Sequence, residues 1–227
     1  MENRTTREIV IPGQPLEGPG LRPGPGTFSE GGRVYAALLG IRDERNGFVQ
    51  VIPLSGRYVP RVGDAVIGTV IDLGPGHWLL DINSPYPAPL HASESPWEVD
   101  YGDTERFLRI GDVLLAEILF VDENRRVQVT LNREGLHKLE GGGLVQVSPS
   151  KVPRVIGKKG SMVSLIKEFT RCRIFVGQNG WIWIDGDPED VRVAEEAIRF
   201  IERYAQAVGL TETMHGFLER KYQKRAV

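Results

Sequence analysis

Three small modules in series, two all-β and one mixed α+β, are what this sequence predicts, on three observations. Its 27 glycines and 15 prolines cluster, cutting the 227 residues into short pieces, punctuation that suits several small cores better than one large one. Short strand-like apolar runs fill the positions up to Leu131 with no helical period between them. After Gly141-Gly142-Gly143, which reads as a linker, helical spacing appears.

Residues 1–32 are dense in Gly and Pro and read as an extended surface segment. Gly18, Gly20 and Gly24 mimic a dinucleotide-binding loop, but Pro19, Pro23 and Pro25 remove backbone donors between them, and no strand before or helix after completes a phosphate site. Val34 to Ile41 and Gly47 to Pro53 follow as two strands joined by a charged turn from Arg42 to Asn46. Residues 1–60 thus form an N-terminal β domain.

A second all-β unit occupies residues 61–140. Its strands are expected at Ala65–Leu73, Trp78–Asn83, Ala88–His91, Val113–Val121 and Val127–Leu131, each bounded by Gly, Pro, Asp or Asn. Five short strands suit an OB-type barrel. The excursion from Ser93 to Arg109 exceeds an ordinary loop, and its Ser95-Pro96-Trp97 and Asp100-Tyr101-Gly102 read as a lid over one barrel end.

Residues 144–227 mix helix and strand. A strand at Leu144–Val147 precedes a short helix at Ser150–Ile156, a tight turn at Gly157-Lys158-Lys159-Gly160 and a helix at Ser161–Phe169. Strands at Arg173–Val176 and Trp181–Asp185 come next. The last helix opens with Asp187 as N-cap and Pro188 at its first position, repeats Val191, Ala194, Ile198 and Ile201, and stops at Gly209. The order is βααββα. The final stretch from His215, with Arg220, Lys221, Lys224 and Arg225, reads as a solvated helix end rather than an RNA tail.

Charge divides unevenly under a net of −2. From Arg61 to Leu131 five Lys/Arg face twelve Asp/Glu, a balance of −7, whereas from Leu144 to Val227 fourteen face ten, a balance of +4. A surface for an anionic partner therefore belongs to the last module. No apolar run reaches the roughly 20 residues a membrane span needs, and Met1 to Arg7 lacks the apolar core of a secretory signal. One cysteine, Cys172, makes neither an internal disulfide nor a Cys-rich zinc site. These features point to a cytoplasmic protein without metal or cofactor.

The chemistry concentrates at Val155 to Gly160. Between two short helices in a βααββα order, a Gly-X-X-Gly turn marks a KH domain, which holds about four nucleotides of single-stranded nucleic acid. Here both variable positions are lysine. Candidate RNA contacts are Arg154, Ile156, Gly157, Lys158, Lys159, Gly160, Arg171 and Arg173. The spacing does not satisfy a P-loop. Asp64, Asp72, Asp81, Asp112 and Asp122 lie near strand ends, yet none forms the close pair a metal-dependent nuclease requires, and their expected role is turn solvation.

The barrel segment, from Gly68-Thr69-Val70 through Leu80-Asp81-Ile82 to Leu90-His91-Ala92-Ser93, resembles the RNA-binding barrel first recognised in ribosomal protein S-one. Leu73-Gly74 replaces the aromatic-glycine pair usual there, which leaves Trp78 and His91 as base-stacking candidates.

Taken with Val10-Ile11-Pro12-Gly13, Gly26-Thr27-Phe28 and the phrase from Val51 to Gly68, these modules resemble the RNA-binding cap subunits of the archaeal exosome, of the ribosomal RNA processing protein four type, across nearly the whole chain. The resemblance implies a non-catalytic protein in a trimeric cap. Its N-terminal unit would dock on a hexameric ring of RNase PH-like subunits, three copies per ring, alone or mixed with a zinc-ribbon sister cap. The barrel would line the entry pore, and single-stranded RNA would be captured and fed for 3′ to 5′ degradation. The competing families are a NusA-type elongation factor, which carries two KH domains and a helical start, and a self-sufficient phosphorolytic ribonuclease, for which the chain lacks length.

Overall fold

A computed structural model describes residues 8–18, 20–45, 47–54, 56–207 and 209–223. The chain divides into two compact units, Met1–Gly56 and Arg57–Val227.

The first unit contains β1 (Ile9–Val10), β2 (Arg22–Pro23), β3 (Thr27–Glu30), β4 (Arg33–Ala36), β5 (Gly40–Arg45) and β6 (Phe48–Pro53). A sheet of order β1-β5-β6-β2 and a β3-β4 hairpin enclose Val10, Leu16, Val34, Ala36, Val49 and Val51. The early segment is therefore not a surface extension. Its backbone bonds run inward, Leu16 N to Val34 O and Gly24 N to Val49 O, each at 2.8 Å, so its donors are satisfied by the sheet despite the prolines between them. The run Val34–Ile41 is two strands, β4 ending at Ala36 and β5 beginning at Gly40, which presses against the Ile52 carbonyl, where a Cβ would come within 2.3 Å. Arg42 to Arg45 extend β5 instead of turning, and the turn falls at Gly47; Asn46 lies outside the described residues.

The second unit opens with β7 (Ala65–Gly74), β8 (His77–Asp81), β9 (Ala88–His91), β10 (Val113–Val121), β11 (Val127–Thr130) and β12 (His137–Leu139). The order β11-β9-β8-β7-β10 closes through a β10–β11 pairing, with β12 on the outer side of β10. This is the five-stranded barrel. Its interior holds Val66, Val70, Leu80, Ile82, Leu90, Leu114 and Ile118, all with side chains alternating inward.

The remaining elements are β13 (Gly143–Gln146), α1 (Val152–Ile156), α2 (Ser161–Thr170), β14 (Arg173–Val176), β15 (Trp181–Asp185), α3 (Pro188–Arg203) and α4 (Leu210–Gln223). The sheet order is β13-β15-β14. On one face Val145, Ile174, Ile182 and Ile184 pack under the helices. The alternate residues Leu144, Phe175, Trp181 and Trp183 turn to the other face and meet Ile67, Val113, Leu115 and Leu139 of the barrel. Gly141 and Gly142 are not a free linker: the Trp183 indole donates to the Gly141 carbonyl at 2.9 Å.

Asp187 caps α3 as its sequence position predicts, accepting from Glu189 N at 3.2 Å. The helix ends at Arg203, short of Gly209, and a further helix follows. Leu210, Met214 and Leu218, spaced four apart, bury into the core under α3, so this stretch is packed structure, not a solvated end. Arg220 remains exposed and Lys221 pairs with Glu196; Lys224 and Arg225 lie outside the described residues.

The joint between barrel and α+β domain is the β14–β15 turn, residues 177–180. Gln178 N donates to Ala65 O at 2.8 Å. The fully buried Asn179 amide donates to Ile67 O at 2.7 Å and Ile82 O at 2.9 Å, while its oxygen accepts from Ile67 N at 3.3 Å. Asn83 returns a bond to Asn179 O at 2.7 Å. Gly177 must be glycine, since a Cβ there would stand 2.3 Å from Asn179 Oδ1 and 2.9 Å from Ile67 N. Asn179→Ala strips partners from three buried backbone groups; it is expected to destabilise the second unit by about 2–4 kcal/mol, read by urea unfolding.

Candidate nucleic-acid interface

Pro153 near the start of α1 and the glycine after Ile156 set a one-turn-and-stop helix. Gly157 adopts φ 75° and ψ 175°, and a Cβ there would meet Met162 N at 2.6 Å. Lys159, at φ 54°, and Gly160, at φ 81°, are both left-handed, a conformation costly for lysine and routine for glycine. The turn is short: Gly157 N donates to Pro153 O at 3.0 Å and Gly160 N to Gly157 O at 3.3 Å. α2 starts at once at Ser161, its N-terminal partial positive charge adding to the lysines.

Lys158 and Lys159 are exposed, and among the described residues no carboxylate lies within ion-pair distance of either. Arg154 and Ile156 are half-buried on α1, Ile156 leaning on the helical core. Arg171 ends α2 in the left-handed region at φ 55° and is exposed. Arg154, Ile156 and the turn lysines gather at the start of α2, whereas Arg171 stands at its far end. Arg173 is different: its guanidinium is engaged by Asp185 Oδ2, at 2.6 and 3.1 Å, and lies over Trp183 at 5.5 Å.

Trp78 does not offer a stacking face. It is fully buried in the barrel, its indole donates to Thr104 O at 3.1 Å, and Trp97 meets it edge-on at 6.1 Å. Residues 93–109 fold over it, bringing Leu108 into the core, with Thr104 tied to Gly74 O at 2.8 Å. His91 is exposed on β9, its ring 5.9 Å from that of His77.

The barrel carboxylates serve turns. Asp64 accepts from the Tyr58 hydroxyl at 2.7 Å, Asp72 from Leu73 N, Asp81 from Asn83 N and Asp122 from Arg126 N. Burial, then the Asp64 carboxylate, push the Tyr58 hydroxyl pKa far above its ordinary value. Asp112 accepts from Arg109 N at 2.8 Å and Lys138 Nζ at 2.7 Å. Partial desolvation works to raise its pKa, but these bonds together outweigh that and hold it below the usual carboxylate range. No group of three or more His, Cys, Asp or Glu side chains converges as a metal site among the described residues. Cys172 is buried, and burial pushes its thiol pKa up, the opposite of an activated thiolate. No described helix is long and apolar enough to cross a membrane.

Family models match three successive stretches: the N-terminal region of exosome complex exonuclease RRP4 over residues 9–43, the RRP4 S1 domain over 57–120 and a KH domain over 142–190. The exosome complex component Rrp4 of Thermoplasma acidophilum is 46% identical over 94% of this chain and 90% of its own length. The chain belongs to the Rrp4 family. The Rrp4 component of Methanosarcina mazei is 44% identical over 96% of this chain and 84% of its own. The crystal structure of a protein assigned as an exosome complex RNA-binding protein superposes with a TM-score of 0.67 at 38% identity, covering 75% of this chain and 99% of that one. The barrel is thus an S1 domain of Rrp4 type, followed by a KH domain.

Reading the residues one by one misses Asn179, although Gly177-Gln178-Asn179-Gly180 stands between two strands as a turn. What stays unseen is the receptor for that turn on the barrel. Two outcomes follow from this geometry. Trp78→Phe loses the indole bond and part of the core volume, lowering stability by about 1–3 kcal/mol in thermal or urea unfolding, with RNA affinity of the folded protein unchanged. For Asp112→Asn the sign is that of a depressed carboxylate: its contribution is present above the unfolded pKa and lost as pH falls through the folded one. The variant's stability deficit at pH 7 should shrink below about pH 4, measured by melting temperature across pH.

Proposed function

We propose that this chain is a non-catalytic RNA-binding component of the exosome that captures single-stranded RNA and presents it to a phosphorolytic ring. The observation that carries the reading is the exposed Gly157-Lys158-Lys159-Gly160 turn, with lysines clear of carboxylates, in the KH domain of an Rrp4-family chain. Glycines at both ends of the turn leave no side chain to hold a sugar-phosphate backbone away, and two adjacent ammonium groups add the charge that backbone binding needs. Arg154 and Ile156 flank this turn as contacts, Arg171 is a contact at the far end of α2, His91 is the barrel contact, and Arg173 holds a sheet edge through Asp185. The modules would be bounded at 1–60, 61–140 and 144–227.

The first unit supports a docking role. Ile9, Ile11, Leu38, Leu39 and Ile52 are exposed on a unit of 56 residues, and concentrated exposed apolar side chains mark an interaction surface. The partner is the hexameric ring of RNase PH-like subunits, with three copies of this chain per ring, alone or mixed with a zinc-ribbon cap. The location is the cytoplasm. A NusA-type role is not favoured, because the relatives described above are exosome components.

Charge reversal of Lys158 and Lys159 should weaken single-stranded RNA binding at least about tenfold, with the log-log salt slope falling by about 0.7 for each phosphate no longer neutralised, while the melting temperature holds. Equal affinity in the reversed protein would remove the KH loop from the reading. Mixed with the ring, the chain should raise phosphorolysis of single-stranded RNA and alone release no nucleoside diphosphate; release by the chain alone would overturn the non-catalytic role.

A further inference from the structure

We infer that single-stranded RNA leaving the Gly-Lys-Lys-Gly loop crosses onto the barrel over a second contact, a cationic and aromatic seam formed by Lys167, Phe175 and His137. This rests on the RNA-binding reading above and deepens it. The seam lies where two sheet edges meet, β14 of the KH domain and β12 of the barrel. The rings of His137 on β12 and Phe175 on β14 pack edge-to-face at 5.5 Å and 77°. Lys167 reaches the same Phe175 ring from α2, its Nζ 6.0 Å from the centroid.

Position ties the seam to the loop. Lys167 lies seven residues beyond Gly160 on α2, about 10 Å along the helix axis. α2 is therefore a rail with lysines at both ends, Lys158 and Lys159 at its start and Lys167 near its close. The step between them suits two or three nucleotides of a single strand. Arg171 at the end of the helix adds positive charge; Glu168, also exposed, opposes it.

The seam is prepared for a flat ligand. Trp183 braces Phe175 at 5.7 Å from the buried side, and Gly135 O lies 2.9 Å from His137 Nδ1, fixing that ring. Deeper in the joint Trp183, Leu115 and Leu139 are buried, whereas His137 and Lys167 stand exposed and Phe175 is half-buried. A base stacking on a preset ring loses little freedom, and such stacking is tolerant of sequence. Lys167 is then placed for the adjoining phosphate. In sequence Phe175 is one residue of a short strand and His137 one of four scattered histidines; only the meeting of two edges makes them one surface.

The test is fluorescence anisotropy of the full chain with a labelled single-stranded oligouridylate of about twelve nucleotides, long enough to exceed the roughly four held by a KH loop. His137→Ala with Lys167→Glu should weaken binding about tenfold or more, as expected when one base stack and one phosphate neutralisation are removed. His137→Phe alone, which keeps a ring, should bind as the unsubstituted chain does. Circular dichroism of each variant secures folding. If the double variant binds within twofold of the unsubstituted chain while reversal of Lys158 and Lys159 weakens binding, the seam is only packing and this inference falls alone. If neither pair matters, the KH reading falls and takes the seam with it.

Discussion

One side chain, the amide of Asn179, holds the second unit in its present form. Its donors and its acceptor are spent on the backbone of β7 and on Ile82, at the barrel's own strand ends. Such groups are costly to bury unsatisfied, so barrel and KH domain approach only in the one alignment that satisfies them. That alignment also covers the outer face of the KH sheet. Trp183 and its neighbours would otherwise face water, and burying an aromatic of this size is worth several kcal/mol. Polar groups fix the geometry and apolar area supplies most of the energy, which is why the barrel and the KH domain form one compact unit.

The same division of labour governs charge. The barrel is acidic, yet its carboxylates accept from turn amides, from Tyr58 and from Lys138, so they act first on the chain itself. The basic residues of the KH domain are distributed otherwise. Arg173 is occupied by Asp185 and Lys221 by Glu196, whereas the loop lysines are left to solvent. Net charge per module tells which domain is basic, but only pairing separates the cations left to solvent from those that fasten the fold.

Where local chemistry decides, the sequence is legible. The barrel strands fall within about two residues of the expected bounds because Gly, Asp and Asn terminate them; β14 and β15 fall where expected; and Asp187-Pro188 starts α3. Legibility fails where a distant partner decides. Residues 8–18 and 20–32 are punctuated like a loop, yet Gly13, Leu16 and Gly24 donate to acceptors on β4 and β6. The final helix carries Glu219, Arg220 and Lys221, a run that suggests solvation, and Leu210, Met214 and Leu218 declare themselves only once α3 lies beneath them. Trp78 suits a base platform or a core by its type alone, and the indole bond to Thr104 decides for the interior.

That buried tryptophan has a wider consequence. With Trp78, Leu80, Leu90 and Leu108 filling it and residues 93–109 stopping one end, the barrel is a solid post and not a pipe. No polymer threads its axis. Any strand it guides must run along its outside, where side chains that alternate with the packed ones face solvent.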